Sequence, residues 1–199
     1  MLKFSESRLR EIFSNGAGKK IIVFGDLMVD RYLWGNVSRI SPEAPVPIIN
    51  IEDEEIRFGG AANVANNLIG LGAVPILVGV IGEDMWGEAF HALLKKKSLP
   101  GGGLLVDKHR PTTIKTRIIG NNQHIARVDR EKMHPVNSDL LEQAYQFIRN
   151  IINEIDGIIL QDYNKGMIVP DSIHRIIELA NRHNKIITVD PKENHFPLY

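Results

Sequence analysis

Four short apolar runs constrain this chain more than any other feature: Lys20 to Gly25 (with Ile21-Ile22-Val23-Phe24 at its centre), Pro75 to Ile81, Gly157 to Leu160 and Lys185 to Val189. They are rich in β-branched residues and show no polar alternation, so each reads as a strand covered on both faces. Between them lie segments with helical apolar spacing. Val64, Leu68 and Leu71 mark a helix over 61–71, and a second spans 85–97. Ser138 is the expected cap of a longer helix, with apolar positions from Leu140 to Ile155. Pro170 opens a helix carrying Ile173, Ile176, Ile177 and Ala180. Strands alternating with helices predict an α/β protein with three layers, α/β/α, around a mainly parallel central sheet.

The remaining segments depart from that rhythm. Ser5 to Phe13 reads as a short amphipathic helix, and Pro100 to Gly103 as a loop. Residues 30–58 carry three short β-prone pieces (32–34, 46–51 and 55–58) broken by Pro42, Pro45 and Pro47. They predict a small antiparallel excursion from the main sheet. Residues 112–119 and 123–129 read as two strands joined across Gly120-Asn121-Asn122.

Composition removes several functions. Lys plus Arg is 24 and Asp plus Glu is 24, so the formal charge is zero. That leaves no basic surplus for nucleic acid and no polybasic patch for a membrane. The absence of cysteine excludes disulfides, zinc–thiolate sites and thiol nucleophiles. No apolar run approaches the roughly 18 residues of a membrane helix, and the N-terminus lacks the apolar core of a signal peptide. The expectation is a soluble cytoplasmic protein acting on a small molecule.

Chemistry concentrates where strands end. Asp26, Asp162 and Asp190 follow three of the strands, and Glu83-Asp84 follow the fourth. In open α/β sheets ligands bind beyond those ends. Asp26 and Asp30, four residues apart, suit the hydroxyls of a polyol; the alternative is that Asp26 caps a turn and Asp30 is solvated. Gly59 and Gly60 open a helix where a ligand can approach the backbone, and Asn63 lies one turn in; the alternative is a plain tight turn. Lys115 and Arg117 share a strand face, with Gln123 and Arg127 on the partner strand. These suit a phosphate or form an ordinary charged hairpin. Asp162 with Lys165, and Asp190 with Lys192, place a carboxylate and an ammonium at neighbouring strand ends. There they could flank a transferring phosphoryl group or form surface pairs. Neither Gly-x-Gly-x-x-Gly nor Gly-Lys-Ser/Thr occurs in the right context, which argues against a dinucleotide or Walker-type fold. The seven histidines form no metal-binding pattern.

Taken together these residues resemble the ribokinase-like family of carbohydrate kinases, and within it the heptose 7-phosphate kinase branch. The resemblance rests on Val23-Phe24-Gly25-Asp26 with Asp30-Arg31-Tyr32, and on the long run Gly35-Asn36-Val37-Ser38-Arg39-Ile40-Ser41-Pro42-Glu43-Ala44-Pro45-Val46-Pro47. It continues in Gly59-Gly60-Ala61-Ala62-Asn63, Arg110-Pro111-Thr112, Lys115-Thr116-Arg117, Arg127-Val128-Asp129, Asp162-Tyr163-x-Lys165-Gly166 and Val189-Asp190-Pro191-Lys192.

The resemblance implies transfer of the ATP γ-phosphate, with magnesium, to the anomeric hydroxyl of heptose 7-phosphate, on the way to ADP-heptose and lipopolysaccharide precursors. It implies a β-lid over residues 30–58, with a contribution from 112–129, that also pairs two subunits as a homodimer. Asp26, Asp30, Gly59, Gly60 and Asn63 would bind the sugar, and Lys115, Arg117, Gln123 and Arg127 would lie near its phosphate. Asp162, Lys165, Asp190 and Lys192 would face the phosphoryl-transfer centre. Family members run on for more than a hundred residues past the position of Tyr199. That part carries the Asn-x-x-Glu motif, the Gly-Ala-Gly-Asp segment with the general-base aspartate, and most of the adenine pocket. Here Gly16-Ala17-Gly18 is followed by Lys19 and precedes the first strand, so it is not that segment. The chain is therefore expected to be the N-terminal, sugar-binding portion of a single kinase domain. It should hold no metal, bind no ATP and turn nothing over alone. A non-enzymatic sugar-phosphate-binding or dimerisation remnant, or one half of a split kinase, is the alternative.

Overall fold

Alternate residues of the first apolar run face two different cores: Ile22 and Phe24 enter one, Val23 the other. That two-sidedness sets the layers of the computed structural model, which describes residues 5–199. The order is α1 (Glu6–Gly16), β1 (Lys20–Gly25), β2 (Leu27–Ile40), β3 (Pro47–Gly60), α2 (Ala61–Gly70), β4 (Val74–Gly82), α3 (Met85–Lys96), β5 (Gly103–Asp107), β6 (Ile114–Gly120), β7 (Gln123–Arg130), α4 (Ser138–Ile151), β8 (Gly157–Gln161), α5 (Pro170–Arg182) and β9 (Ile186–Asp190). Single 3-10 turns follow α4 and β9, at Ile152–Glu154 and Glu193–Leu198.

Strands β5-β4-β1-β8-β9 form a five-stranded sheet in that order, parallel throughout. Helices α4 and α5 cover one face through Ala144, Ile148, Ile173 and Ile176. On the other face α2 and α3 pack Ala61, Ala65, Phe90 and Leu94 against Val23, Leu77 and Ile81. The second core continues into Val29, Phe58 and Ile114 at the base of a separate four-stranded sheet, β3-β2-β6-β7. Here β2 pairs antiparallel with β3 and parallel with β6, and β7 returns antiparallel on β6. Asn121 and Asn122 turn the β6–β7 hairpin with φ of 49° and 62°, the left-handed pair a two-residue turn requires.

Several sequence expectations change. The three short pieces of residues 30–58 are two continuous 14-residue strands, bent by register shifts after Trp34 and Val37 instead of being broken. The prolines sit in the connecting turn or at the first position of β3. Residues 103–107 form a fifth strand of the main sheet; its apolar run is only Leu104, Leu105 and Val106, too short to stand out after three glycines. Like the others it ends on a carboxylate, Asp107. The N-cap of α4 is Asn137, whose side chain accepts a bond from the amide of Asp139 at 2.7 Å; Ser138 is the first helical residue. Strand β9 is not covered on both faces: it is an edge among the described residues, and Ile186 is 73% exposed. The apolar residues of α1 are exposed as well, and none of its residues is buried.

The passage from β3 into α2 is a tight point of the backbone. Gly60 has φ +56°, and a Cβ there would stand 2.4 Å from the carbonyl oxygen of Asp26. Gly60→Ala therefore combines a left-handed strain with a backbone clash. We expect a loss of about 2 kcal/mol or more in stability, measured by urea denaturation against the wild-type chain.

Candidate functional site

Strand β1 ends at Gly25 and delivers Asp26 into the interior, 3% exposed. Its carboxylate holds a distant loop. Oδ2 accepts bonds from the amides of Tyr163 (2.9 Å) and Lys165 (3.0 Å), and Oδ1 from that of Met167 (3.0 Å). Burial pushes the Asp26 carboxyl above its ordinary value, and the three amide bonds oppose this without reversing it. The buried Arg110 guanidinium closes the same loop from the other side, donating to the carbonyl oxygens of Lys165 and His134. The carbonyl of Asp26 accepts from Ala61 at the start of α2, 3.0 Å away. One residue thus ties β1 to the entry of α2 and to the loop after β8. Asp26 does cap a turn, but the turn is at 163–167 and not the one that follows it in sequence.

Asp30 stands on the open face of the second sheet with Tyr32 and Trp34. Register sets Arg57 of β3 and Lys115 of β6 on either side of it. Its carboxylate accepts a bond from Arg117 at 2.6 Å. Tyr32 stacks on Trp34 with ring centres 5.4 Å apart, and the guanidiniums of Arg57 and Arg117 lie over the Tyr32 ring at 5.0 and 5.1 Å. Gly59 makes room for this: a Cβ there would lie 2.9 Å from the Asp30 carboxylate and 2.7 Å from Met28. Asp30, Tyr32 and Arg57, together with Asn63 and Asn66 of α2, line a cleft of about 370 Å³. Its far wall is the end of α3, at Leu93, Lys96 and Lys97.

The hairpin cations are held in a network. Lys115 donates to Asp129 at 2.9 Å and Glu131 at 3.2 Å, Arg127 to Asp129 at 3.0 Å, and Lys165 to Glu131 at 2.8 Å. Burial works against the Glu131 carboxylate, but the bonds from Lys165 and Lys115 outweigh it and hold the carboxyl below its ordinary value of 4.5. Gln123 stands apart from this group. The register between β6 and β7 slips by one residue, pairing Ile118 with Ala126 and Ile119 with His124, and so carries Gln123 to the opposite face at the hairpin tip.

At the end of β8, Asp162 is buried, and its carboxylate accepts from the amide of Asn164 (2.8 Å) and the hydroxyl of Tyr199 (3.0 Å). It also meets the ring Nδ1 of His195 at 2.7 Å. Burial and the facing Asp162 carboxylate push the Tyr199 phenol well above its ordinary range. Asp190 accepts from the side-chain amide of Gln161, and Lys192 is exposed beyond β9. With Asp162 and Asp190 engaged in this way, no group of three carboxylate or imidazole side chains among the described residues is placed to hold a metal ion.

Sequence reasoning missed Glu131, Lys96, Lys97, His195 and Tyr199. Glu131 was within reach, since it follows Arg127 and Asp129 at the same spacing of two, one residue past the end of β7. The two lysines and the two C-terminal residues meet the site only through tertiary packing, which leaves no local pattern.

The fold is a three-layer one with a side sheet, and a polar cleft lies where that sheet meets the glycine-opened helix α2. A family model described as pfkB family carbohydrate kinase matches residues 18–197, and the chain belongs to that family. The bifunctional protein HldE of Helicobacter pylori (strain ATCC 700392 / 26695) is 51% identical over 181 residues, 91% of this chain and 39% of that protein. HldE of Helicobacter hepaticus is 42% identical over 180 residues, covering 90% and 37%. The chain thus spans about two-fifths of the length of these relatives. Among solved structures, a phosphofructokinase-like protein from Staphylococcus aureus superposes with a TM-score of 0.68 at 19% identity, over 88% of this chain and 54% of the other. Arabidopsis thaliana ribokinase, solved with ribose and ATP, gives a TM-score of 0.60 at 18% identity, over 88% and 54%.

Two tests follow from the carboxylates. Asp26→Ala leaves the amides of Tyr163, Lys165 and Met167 without their acceptor and should cost about 2–3 kcal/mol in urea denaturation. Acid should weaken the fold through Glu131. Its folded value lies below its unfolded one, so the stability it adds is complete above pH 4.5 and drains as pH falls through the folded value. Asp26 has the opposite sign: its raised value makes its share of stability grow as pH falls toward 3.8. Glu131→Gln should therefore show a shallower loss between pH 5 and pH 3 than the wild type, read from urea midpoints at each pH. An unchanged slope would show that Glu131 does not carry the acid sensitivity.

Proposed function

We propose that this chain is the sugar-binding portion of a carbohydrate kinase that phosphorylates the anomeric hydroxyl of heptose 7-phosphate with ATP, in the formation of ADP-heptose. The observation that carries the reading is the Asp30 cleft: a carboxylate oriented by Arg117, faced by Asn63 and Asn66 and opened by Gly59, in a chain half identical to HldE proteins. Asp30 accepts bonds from sugar hydroxyls, and Asn63 offers both a donor and an acceptor. Asp26 serves the sugar indirectly by fixing the start of α2 and the loop that carries Lys165. ATP with magnesium supplies the phosphoryl group in this reading. No part of that transfer is assigned to a residue here, because phosphoryl transfer needs sugar, nucleotide and metal held together. Lys165 and Lys192 lie at the strand ends facing that region.

The same reading places the protein in the cytoplasm, and no helix of the described residues is long and apolar enough to cross a membrane. It also makes the second sheet a dimer contact. The outer lengths of β2 and β3 and their turn expose Ile40, Val46 and Ile51, apolar groups suited to a second copy. A monodisperse monomer in light scattering would remove the dimer from the proposal.

Calorimetric titration tests the function. Heptose 7-phosphate should bind the 199-residue chain, ATP should give no heat of binding, and no ADP should form when both are present. Asp30→Asn should weaken sugar binding at least about tenfold. ATP-dependent phosphorylation by the isolated chain would overturn the expected inactivity, and failure of the sugar to bind would overturn the site.

A further inference from the structure

The cations first expected to meet a sugar phosphate are already neutralised. Lys115 is shared by Asp129 and Glu131, Arg117 is bonded to Asp30, Arg127 to Asp129 and Lys165 to Glu131. An anion arriving there would have to compete with bonded carboxylates. The opposite wall of the Asp30 cleft differs. Lys96 and Lys97, at the end of α3, line it beside Arg57, and neither ammonium is ion-paired among the described residues. The residues lining the cleft set Asp30 and Glu55 against Arg57, Lys96 and Lys97, a surplus of one positive charge, which rises to two when Arg117, bonded to Asp30 from outside the lining, is counted. A phosphate monoester carries about −1.5 to −2 at neutral pH and matches that surplus.

Both lysines also complement the negative end of the α3 dipole, but Lys95 does so equally without lining the cleft. Lys192 is a further exposed cation, but it lies beyond β9 on the main sheet, outside the cleft. Strand order gives the direction. β3 and β7 are the two edges of the side sheet, roughly 14 Å apart at strand spacing, and the loop carrying Lys165 joins at the β7 side through Glu131.

We infer that Lys96 and Lys97 form an anion subsite that anchors the phosphomonoester end of the sugar at the β3 side. The hydroxyl at the other end of the sugar then faces the loop after β8. This rests on the sugar-kinase reading for the sugar, but not for the anion. The subsite sets specificity for a phosphorylated sugar over its unphosphorylated counterpart.

The test is titration of the wild-type chain, Lys96→Gln/Lys97→Gln and Lys95→Gln with heptose 7-phosphate, the unphosphorylated heptose and inorganic phosphate. The double variant should lose at least about tenfold in affinity for the sugar phosphate and lose phosphate binding. It should keep its affinity for the free heptose and its thermal midpoint, while Lys95→Gln behaves as wild type. Wild-type phosphate and sugar-phosphate affinities should also fall with added salt. Undiminished sugar-phosphate binding by the double variant overturns the subsite and leaves the sugar site standing. Phosphate binding that depends on the two lysines, with no binding of either sugar, overturns the sugar reading and keeps the subsite. An equal loss in Lys95→Gln overturns the subsite in favour of a general charge effect.

Discussion

The buried carboxylate of Asp26 is the interaction on which the arrangement of the cleft depends. An isolated charge at that depth would be severely penalised, and the penalty is partly offset by three converging amides and the nearby guanidinium of Arg110. Those amides belong to one loop, so satisfying the carboxylate and shaping the loop are a single event. The carbonyl of the same residue receives the first amide of α2. The cleft helix and the Lys165 loop are therefore placed relative to each other through one residue at the end of the central strand. The position suits a group with backbone duties on one side and carboxylate duties on the other.

Around that point the charges are arranged in pairs that cross element boundaries. Glu131 joins Lys115 of the side sheet to Lys165 of the main domain, and Arg117 of β6 steadies Asp30 of β2. These pairs are half-buried, where ionic bonds are less screened than at the surface. Their role is orientation more than net stability, since long flexible side chains would otherwise sample many rotamers. The zero net charge of the chain conceals this local order: charge is balanced almost pair by pair near the cleft, and the imbalance at Lys96 and Lys97 stands out against it.

Much of the fold was legible because burial on both sides writes itself into sequence. Ile21 to Phe24 and Gly157 to Leu160 have no alternation, and each is a strand flanked on both sides in the sheet. The edges were less legible. Strand β5 shows only Leu104 to Val106, and β9, whose composition matches that of a central strand, leaves Ile186 in solvent because nothing among the described residues pairs beyond it. Asp30 and Asn63 line one cleft, and Gly59 packs against Asp30. Asp26 does not reach the cleft, because a carboxylate's partners 137 residues away leave no trace in the local sequence. Gln123 lies past a one-residue slip in register, which no local sequence pattern announces and which sets it on the face opposite Arg127.

The distance between Asp26 and Tyr163 also bears on how the protein is made. Closing a loop of 137 residues costs about 4 kcal/mol of chain entropy before the contact returns anything. Hairpins such as β2–β3 and β6–β7 close over short spans and can form early. The central strand β1 can acquire β4 well before it acquires β8. At about 5–20 residues per second on the ribosome, roughly 7 to 27 seconds separate the synthesis of Asp26 from that of Tyr163. Throughout that interval β1 has one open edge and Asp26 has no loop to hold. A nascent chain of this protein is therefore exposed to mispairing at its central apolar strand until the segment around Tyr163 emerges.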